Sequence, residues 1–176
     1  MQKIVVIVDM QNDFILGPLG SGEAQAALLK ISKMIEEESE NTYFIFTQDT
    51  HGKNYLSTPE GKKLPVEHCI KGTDGWKIHP SLTKHFYDSP LTVEKPTFGS
   101  IELMEMLDDM IEVTDETEVL FCGVCTDICV VSNALMAKAW FPEIKITVDS
   151  KLCAGTTPEA HEAALTTMKS CQIDVI

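Results

Sequence analysis

Glu118–Val124 is an apolar, strand-like run that passes without a break into Cys125–Thr126–Asp127–Ile128–Cys129–Val130 and then into a helical pattern over Val131–Trp140. A buried strand feeding a helix is the building unit of an α/β fold, in which each strand is covered by the helices beside it. The same stretch places Cys129 in the first turn of the helix. Unpaired backbone N–H groups and the positive end of the helix dipole gather there, so a thiolate is favoured and an anion can be held beside it. The competing reading of any one cysteine is a small buried hydrophobe. The rest of the chain has to decide between them.

The strand-then-helix unit recurs. Lys3–Val8 is a continuous apolar run rich in β-branched residues, as in strands buried on both faces. Ser21–Ser39 reads as a helix, with Ala24, Ala27, Leu28, Ile31, Met34 and Ile35 at helical spacing. Tyr43–Thr47, Leu91–Glu94 and Ile144–Val148 read as strands, Ile101–Ile111 and Thr126–Trp140 as helices, and Ile173–Ile176 as a last edge strand. Thr157 reads as an N-cap with Pro158 at the first helical position and Ala160, Ala163, Ala164 and Met168 facing inward. Asp49–Pro90 is rich in Gly, Pro and His and shows no period; a connection that long in a compact domain is usually functional. Strands separated by helices predict parallel pairing with right-handed crossovers. The expected fold is a three-layer α/β sandwich, a mostly parallel central sheet flanked by helices, in one domain over residues 1–176.

The chain has 176 residues and a net charge of −13, spread along its length. It lacks the basic surface that nucleic acid or an anionic membrane would require of a partner. It also lacks a spanning run of about 18 apolar residues, and Met1–Val8 lacks a signal peptide's apolar stretch and cleavage site. The expected compartment is the cytoplasm, where its six cysteines stay reduced. Trp140–Phe141 would suit a subunit interface, so a homo-oligomer is expected. Cys122, Cys125 and Cys129 invite a zinc or iron–sulfur reading, but Cys122 lies inside the strand run and no histidine nearby completes four ligands. A non-catalytic redox or metal-binding protein is the alternative they leave to an enzyme with one reactive thiol.

In parallel α/β sheets, ligands bind beyond the carboxyl ends of the strands, so those ends matter. The first strand ends at Asp9, the second at Asp49, the short one at Lys95 and the central one at the Cys125–Cys129 turn. A carboxylate, an ammonium and a thiol would meet in one crevice. The carboxylate can take the thiol proton, and a cation between them holds both anions.

Asp9–Met10–Gln11–Asn12–Asp13–Phe14, Lys95 and Gly123–Val124–Cys125–Thr126–Asp127–Ile128–Cys129–Val130 resemble the isochorismatase-like cysteine hydrolases, in order and along essentially the whole chain. Thr47–Gln48–Asp49–Thr50–His51, His68–Cys69–Ile70–Lys71–Gly72–Thr73 and His79–Pro80–Ser81–Leu82 are similar to the nicotinamidase branch. The resemblance implies a triad of Asp9, Lys95 and Cys129 and a cis peptide at Val124–Cys125. It further implies an oxyanion held by the backbone N–H groups of Cys125 and Cys129. The implied reaction is hydrolysis of a small amide through a thioester, nicotinamide first and another small amide as the alternative, with a place in NAD salvage. Phe14 matches an aromatic wall of the family pocket, with Phe98 and Trp76 as further candidates. Two places depart from the pattern: Pro65 stands where many nicotinamidases carry a tryptophan, and the loop Pro96–Ser100 is short.

A metal constellation is readable from the residues themselves. Asp49 and His51 are two apart on an extended segment, so their side chains point to one side. Glu60 and His68 lie downstream in the same irregular region and can fold back to meet them. Two imidazoles with carboxylates suit one divalent ion, zinc first, with Mn²⁺ or Fe²⁺ as alternatives. The competing reading is that both histidines bond loop backbone. His79, His85 and His161 read as structural, with His161 on the outer face of the last helix, and Cys69 as packing.

Overall fold

The computed structural model describes residues 2–38, 41–111 and 117–176. Its strands are β1 (Gln2–Val8), β2 (Thr42–Asp49), β3 (Leu91–Lys95), β4 (Thr117–Val124), β5 (Lys145–Ala154) and β6 (Asp174–Val175). They pair in parallel as one six-stranded sheet in the order β3-β2-β1-β4-β5-β6. The two central strands are those whose sequences do not alternate. Ile4–Val8 on β1 is fully buried, and Val119–Val124 on β4 is buried throughout, because helices cover both faces and leave no polar side for a period of two.

Those helices are α1 (Asn12–Ile15), α2 (Gly22–Glu37), α3 (Pro59–Lys63), α4 (Pro80–Thr83), α5 (Ile101–Met110), α6 (Val131–Trp140) and α7 (Pro158–Ser170). α2 packs against β4, β5, α1 and α4, while α6 packs against α5 and α7. Ser21 caps α2 by accepting from the Ala24 N–H at 3.0 Å, and Thr157 caps α7 by accepting from the Ala160 N–H at 3.1 Å with Pro158 next in line. Ser39, the expected end of α2, lies outside the described residues; the helix runs to Glu37.

Several expectations need correction. The helix expected over Thr126–Trp140 begins as a π turn, Thr126–Val130, closed by Val130 N–H donating to Cys125 O at 3.1 Å, and becomes α-helical only at Val131. β5 runs six residues past Val148 to Ala154, because its register shifts between Phe121 and Gly123 on β4 and then resumes through Cys153 and Ala154. The inner face of α7 is Ala164, Leu165 and Met168; Ala163 is exposed and Ala160 half-buried. Phe141 is buried, which leaves Trp140 alone exposed at that corner.

Candidate active site and metal centre

The order of strands along the sheet reverses between β1 and β4, the position where a crevice opens beyond the carboxyl ends of a parallel sheet. Gly123, near the end of β4, has a φ of +113, and a Cβ there would lie 2.2 Å from Val8 O. A side chain is excluded on both counts, so β4 can hug β1 up to the turn. The next peptide, Val124–Cys125, is cis, and the π turn that follows carries Cys129.

Asp9, Lys95 and Cys129 come together in this corner, all buried. Lys95 is the last residue of β3, and its Nζ lies 2.6 Å from Asp9 Oδ2, 3.3 Å from Cys129 Sγ and 3.6 Å from Asp49 Oδ1. It also donates to Thr97 O at 3.3 Å. Thr47 fixes the carboxylate from the other side. Its hydroxyl donates to Asp9 Oδ1 at 2.6 Å and accepts from the Asp9 N–H at 3.2 Å. The sequence offers one signal for Thr47 in this role, its place on the strand beside the one that ends at Asp9.

Electrostatics set the resting state. Burial pushes the Asp9 carboxyl up from its ordinary range, opposed by the Lys95 charge. Burial, then the Asp9 charge, push the Cys129 thiol well up, against the pull of Lys95. Burial alone would lower Lys95, but Asp9, Cys129 and Asp49 together raise it. The Lys95 ammonium thus bridges the Asp9 carboxyl and the Cys129 thiol. The thiolate favoured from the helix dipole alone is outweighed by desolvation. Cys125 is pushed up to about 12 by burial and the Asp127 charge. Cys122 is buried within β4 and Cys69 is buried in the loop, as packing residues would be.

Asp49 joins this corner to a second one. It ends β2 opposite Lys95, and its other oxygen, Oδ2, lies 2.9 Å from His51 Nε2 and 3.5 Å from His68 Nε2. Burial would raise the Asp49 carboxyl, but His51, His68 and Lys95 together hold it low. Donor atoms of Asp49, His51 and His68 lie within 4.8 Å of one another. Glu60, in the first turn of α3, brings Oε1 to 3.6 Å from His51 Nε2 and stands beside this trio rather than inside it. Of the two rings, His68 spends Nδ1 on Val66 O at 2.8 Å, which fixes Nε2 toward Asp49. His51 Nε2 is buried and, although 2.9 Å from Asp49 Oδ2 and 3.6 Å from Glu60 Oε1, is not aligned for a hydrogen bond to either, so it faces two carboxylates. Such a donor set fits a divalent ion better than it fits a loop network.

The loop that carries these ligands is held by residues the sequence did not single out for that task. Gln11 is fully buried; its Oε1 accepts from the Asp49 N–H at 2.8 Å and its Nε2 donates to Asp49 O at 2.9 Å and Trp76 O at 2.7 Å. Asp13 Oδ2 accepts from the Cys69 N–H at 2.8 Å, beside His68. Tyr55, also fully buried, packs its ring 4.6 Å from His51 and 4.9 Å from His68 between centroids. His79 caps α4 through Ser81 N–H, and His85 meets Ser32. His161 does not face outward as expected: its Nδ1 lies 2.8 Å from the hydroxyl of Thr126, the first residue of the nucleophile turn. Trp76 points away, donating to Thr50 Oγ1 at 2.8 Å.

Both corners open into one cavity of about 660 Å³ lined by Cys125, Cys129, Asp49, Glu60, His68, Phe14 and Phe98 among others. Known proteins resemble this chain over nearly its whole length. The protein of Mycobacterium tuberculosis described as nicotinamidase/pyrazinamidase is 29% identical to this chain, over 99% of this chain and 98% of its own length. The Bacillus subtilis nicotinamidase/pyrazinamidase structure superposes with a TM-score of 0.80 at 26% identity, covering 99% of each chain. The Pyrococcus horikoshii pyrazinamidase solved in complex with zinc gives a TM-score of 0.81 at 24% identity, covering 100% of this chain and 99% of its own. The isochorismatase domain model matches residues 3–176, and the chain belongs to that family.

Proposed function

We propose that the protein is a metal-assisted cysteine amidohydrolase, a nicotinamidase that converts nicotinamide to nicotinate and ammonia. The observation that carries this reading is one cavity lined both by Cys129, backed by buried Lys95 and Asp9, and by Asp49 and His68, which with His51 make the donor set. The nicotinamidases and pyrazinamidases among its relatives support the amide class.

In this reaction Asp9 takes the Cys129 proton as Sγ attacks the amide carbonyl carbon, and Lys95 holds the two partners together. The carbonyl π electrons move onto oxygen, which the backbone N–H groups of Cys125 and Cys129 receive. The C–N bond then breaks, nitrogen takes the proton from Asp9, and ammonia leaves a thioester on Cys129. Asp9 next deprotonates a water that attacks the thioester; the acid departs and Sγ recovers its proton. A divalent ion held by Asp49, His51 and His68, with Glu60 beside them, would supply a Lewis acid that orients the pyridine nitrogen. Zinc is our choice, supported by the zinc complex of the Pyrococcus horikoshii relative and by the two imidazoles. Phe14, 5.5 Å from the His68 ring, forms the aromatic wall.

We place the enzyme in the cytoplasm, where its six free cysteines stay reduced, as one domain over residues 1–176, and in homo-oligomers. Its acid product suits NAD salvage. An ammonia-release screen of the purified protein tests the reading: nicotinamide and pyrazinamide should be hydrolysed and aliphatic amides spared. Hydrolysis of aliphatic amides alone would replace nicotinamidase with the other-small-amide reading.

A further inference from the structure

The cavity is larger than the proposed substrate needs. A single six-membered ring bearing one amide fills on the order of 150 Å³ at interior packing density, whereas the cavity measures about 660 Å³. Volumes of roughly 300–1,000 Å³ ordinarily enclose ligands of drug size.

The surplus has a definite character. The cavity's chemistry lies at Cys129, Asp49, Glu60 and His68, while much of the rest of its lining is apolar: Leu19, Ala24, Leu64, Phe98, Ile128 and Ala154. Ala24 and Ala154 are buried by their neighbours yet small, so they leave room where a larger side chain would take it. The short Pro96–Ser100 loop brings one aromatic ring to that space, Phe98, which is itself 43% exposed, and Pro65 brings none.

Ring geometry says which part of a substrate would enter it. With the pyridine nitrogen held at the rim and the carboxamide carbon at Cys129, both anchored positions flank ring carbon 2. Carbon 5 lies opposite and points away from both anchors. Resting on the nicotinamidase reading, we propose that the site takes pyridine carboxamides carrying an aryl or fused-ring substituent at carbon 5, seated against the apolar lining that includes Ala24, Leu64, Ile128 and Ala154. Burying such a group against apolar walls is worth a gain in kcat/KM, since one methylene in an apolar pocket changes it by roughly 10- to 200-fold.

The test measures ammonia release from nicotinamide and from 5-phenylnicotinamide by the metal-loaded full chain, and by Ala24→Leu and Leu64→Trp, which narrow the apolar side from two elements. The wild type should hydrolyse the phenyl amide with a kcat/KM at least about tenfold above that for nicotinamide, and in each folded variant the phenyl-to-nicotinamide ratio should fall by about tenfold or more. A wild-type ratio below that bound, or variants that leave the ratio unmoved, would overturn the inference while nicotinamide turnover stood. Hydrolysis of neither amide would instead overturn the nicotinamidase reading, and this inference with it.

Discussion

The Asp9–Lys95–Cys129 corner and the Asp49–His51–Glu60–His68 rim lie on one cavity but are built differently. Each residue of the first sits at or just beyond the end of a parallel strand, and backbone pairing along the sheet sets their spacing. The rim starts from one strand end, Asp49, and takes its other members from a long irregular connection. That connection is pinned by the bridge between His51 and Ile70, by Gln11 and Asp13, and by the Tyr55 ring. Chemistry that must not shift by an ångström is carried by the sheet. Substrate orientation, which has to admit and release a ligand, is carried by the loop. Asp49 belongs to both, 3.6 Å from Lys95 on one oxygen and 2.9 Å from His51 on the other.

Substitutions can break this division or sharpen it. The largest effect belongs to the nucleophile. Cys129→Ala should cut kcat on the order of 10⁴-fold or more, whereas Cys125→Ala, whose backbone N–H alone is used, should retain substantial rate. Equal loss in both would contradict a single nucleophile. Lys95→Ala and Asp9→Ala should each lose about 10³-fold or more, and the double variant hardly more than either, as in a unit that acts together; strict additivity in steady-state kinetics would count against one shared corner.

His51→Ala should act on the other region. The expected result is a rise in KM for nicotinamide and metal affinity weaker by more than about 100-fold, beyond what loss of an outer-shell partner costs, with a smaller change in kcat; a kcat loss matching that of Lys95→Ala would erase the distinction between corner and rim. The smallest effect is a displaced pH profile. Turnover needs Asp9 ionised, so kcat/KM falls as pH drops through its raised pKa. The Thr47 hydroxyl opposes that rise by hydrogen-bonding the carboxylate. Thr47→Val should therefore move the acid limb to higher pH, and a limb that stays in place would remove Thr47 from the account.

The same contrast explains what the sequence made legible. Lys3–Val8 and Val119–Val124 could be read as central strands because burial on both faces leaves an unbroken apolar run. Strand ends then followed, and with them the meeting of Asp9, Lys95 and Cys129. Asp49 and His51 were legible by their spacing of two. The long connection was not, since Gln11 and Asp13 hold it through contacts 38 and 56 residues distant, for which no period exists. The π turn has no signal of its own, since Thr126, Asp127, Cys129 and Val130 are weak helix formers and nothing in them marks an i→i+5 bond. β5 was cut short at Val148 because Asp149–Ser150–Lys151 reads as a turn, although Ser150 N–H pairs with Ile176 O at 2.9 Å. His161 was misplaced because α7 packs against the nucleophile turn as well as the sheet, a second face that one inner stripe cannot reveal.

The central claim is that the strand-end corner arms Cys129 and the loop rim does not. The most direct test is the rate of Cys129 alkylation by iodoacetamide, followed by mass spectrometry on metal-loaded and metal-stripped enzyme. Cys129 should react faster than Cys125 in both forms, with rates agreeing within about threefold, because its base is Asp9 and not the ion. If stripping the metal abolished Cys129 alkylation, the rim would be part of the nucleophile's activation and the division between the two regions would be contradicted.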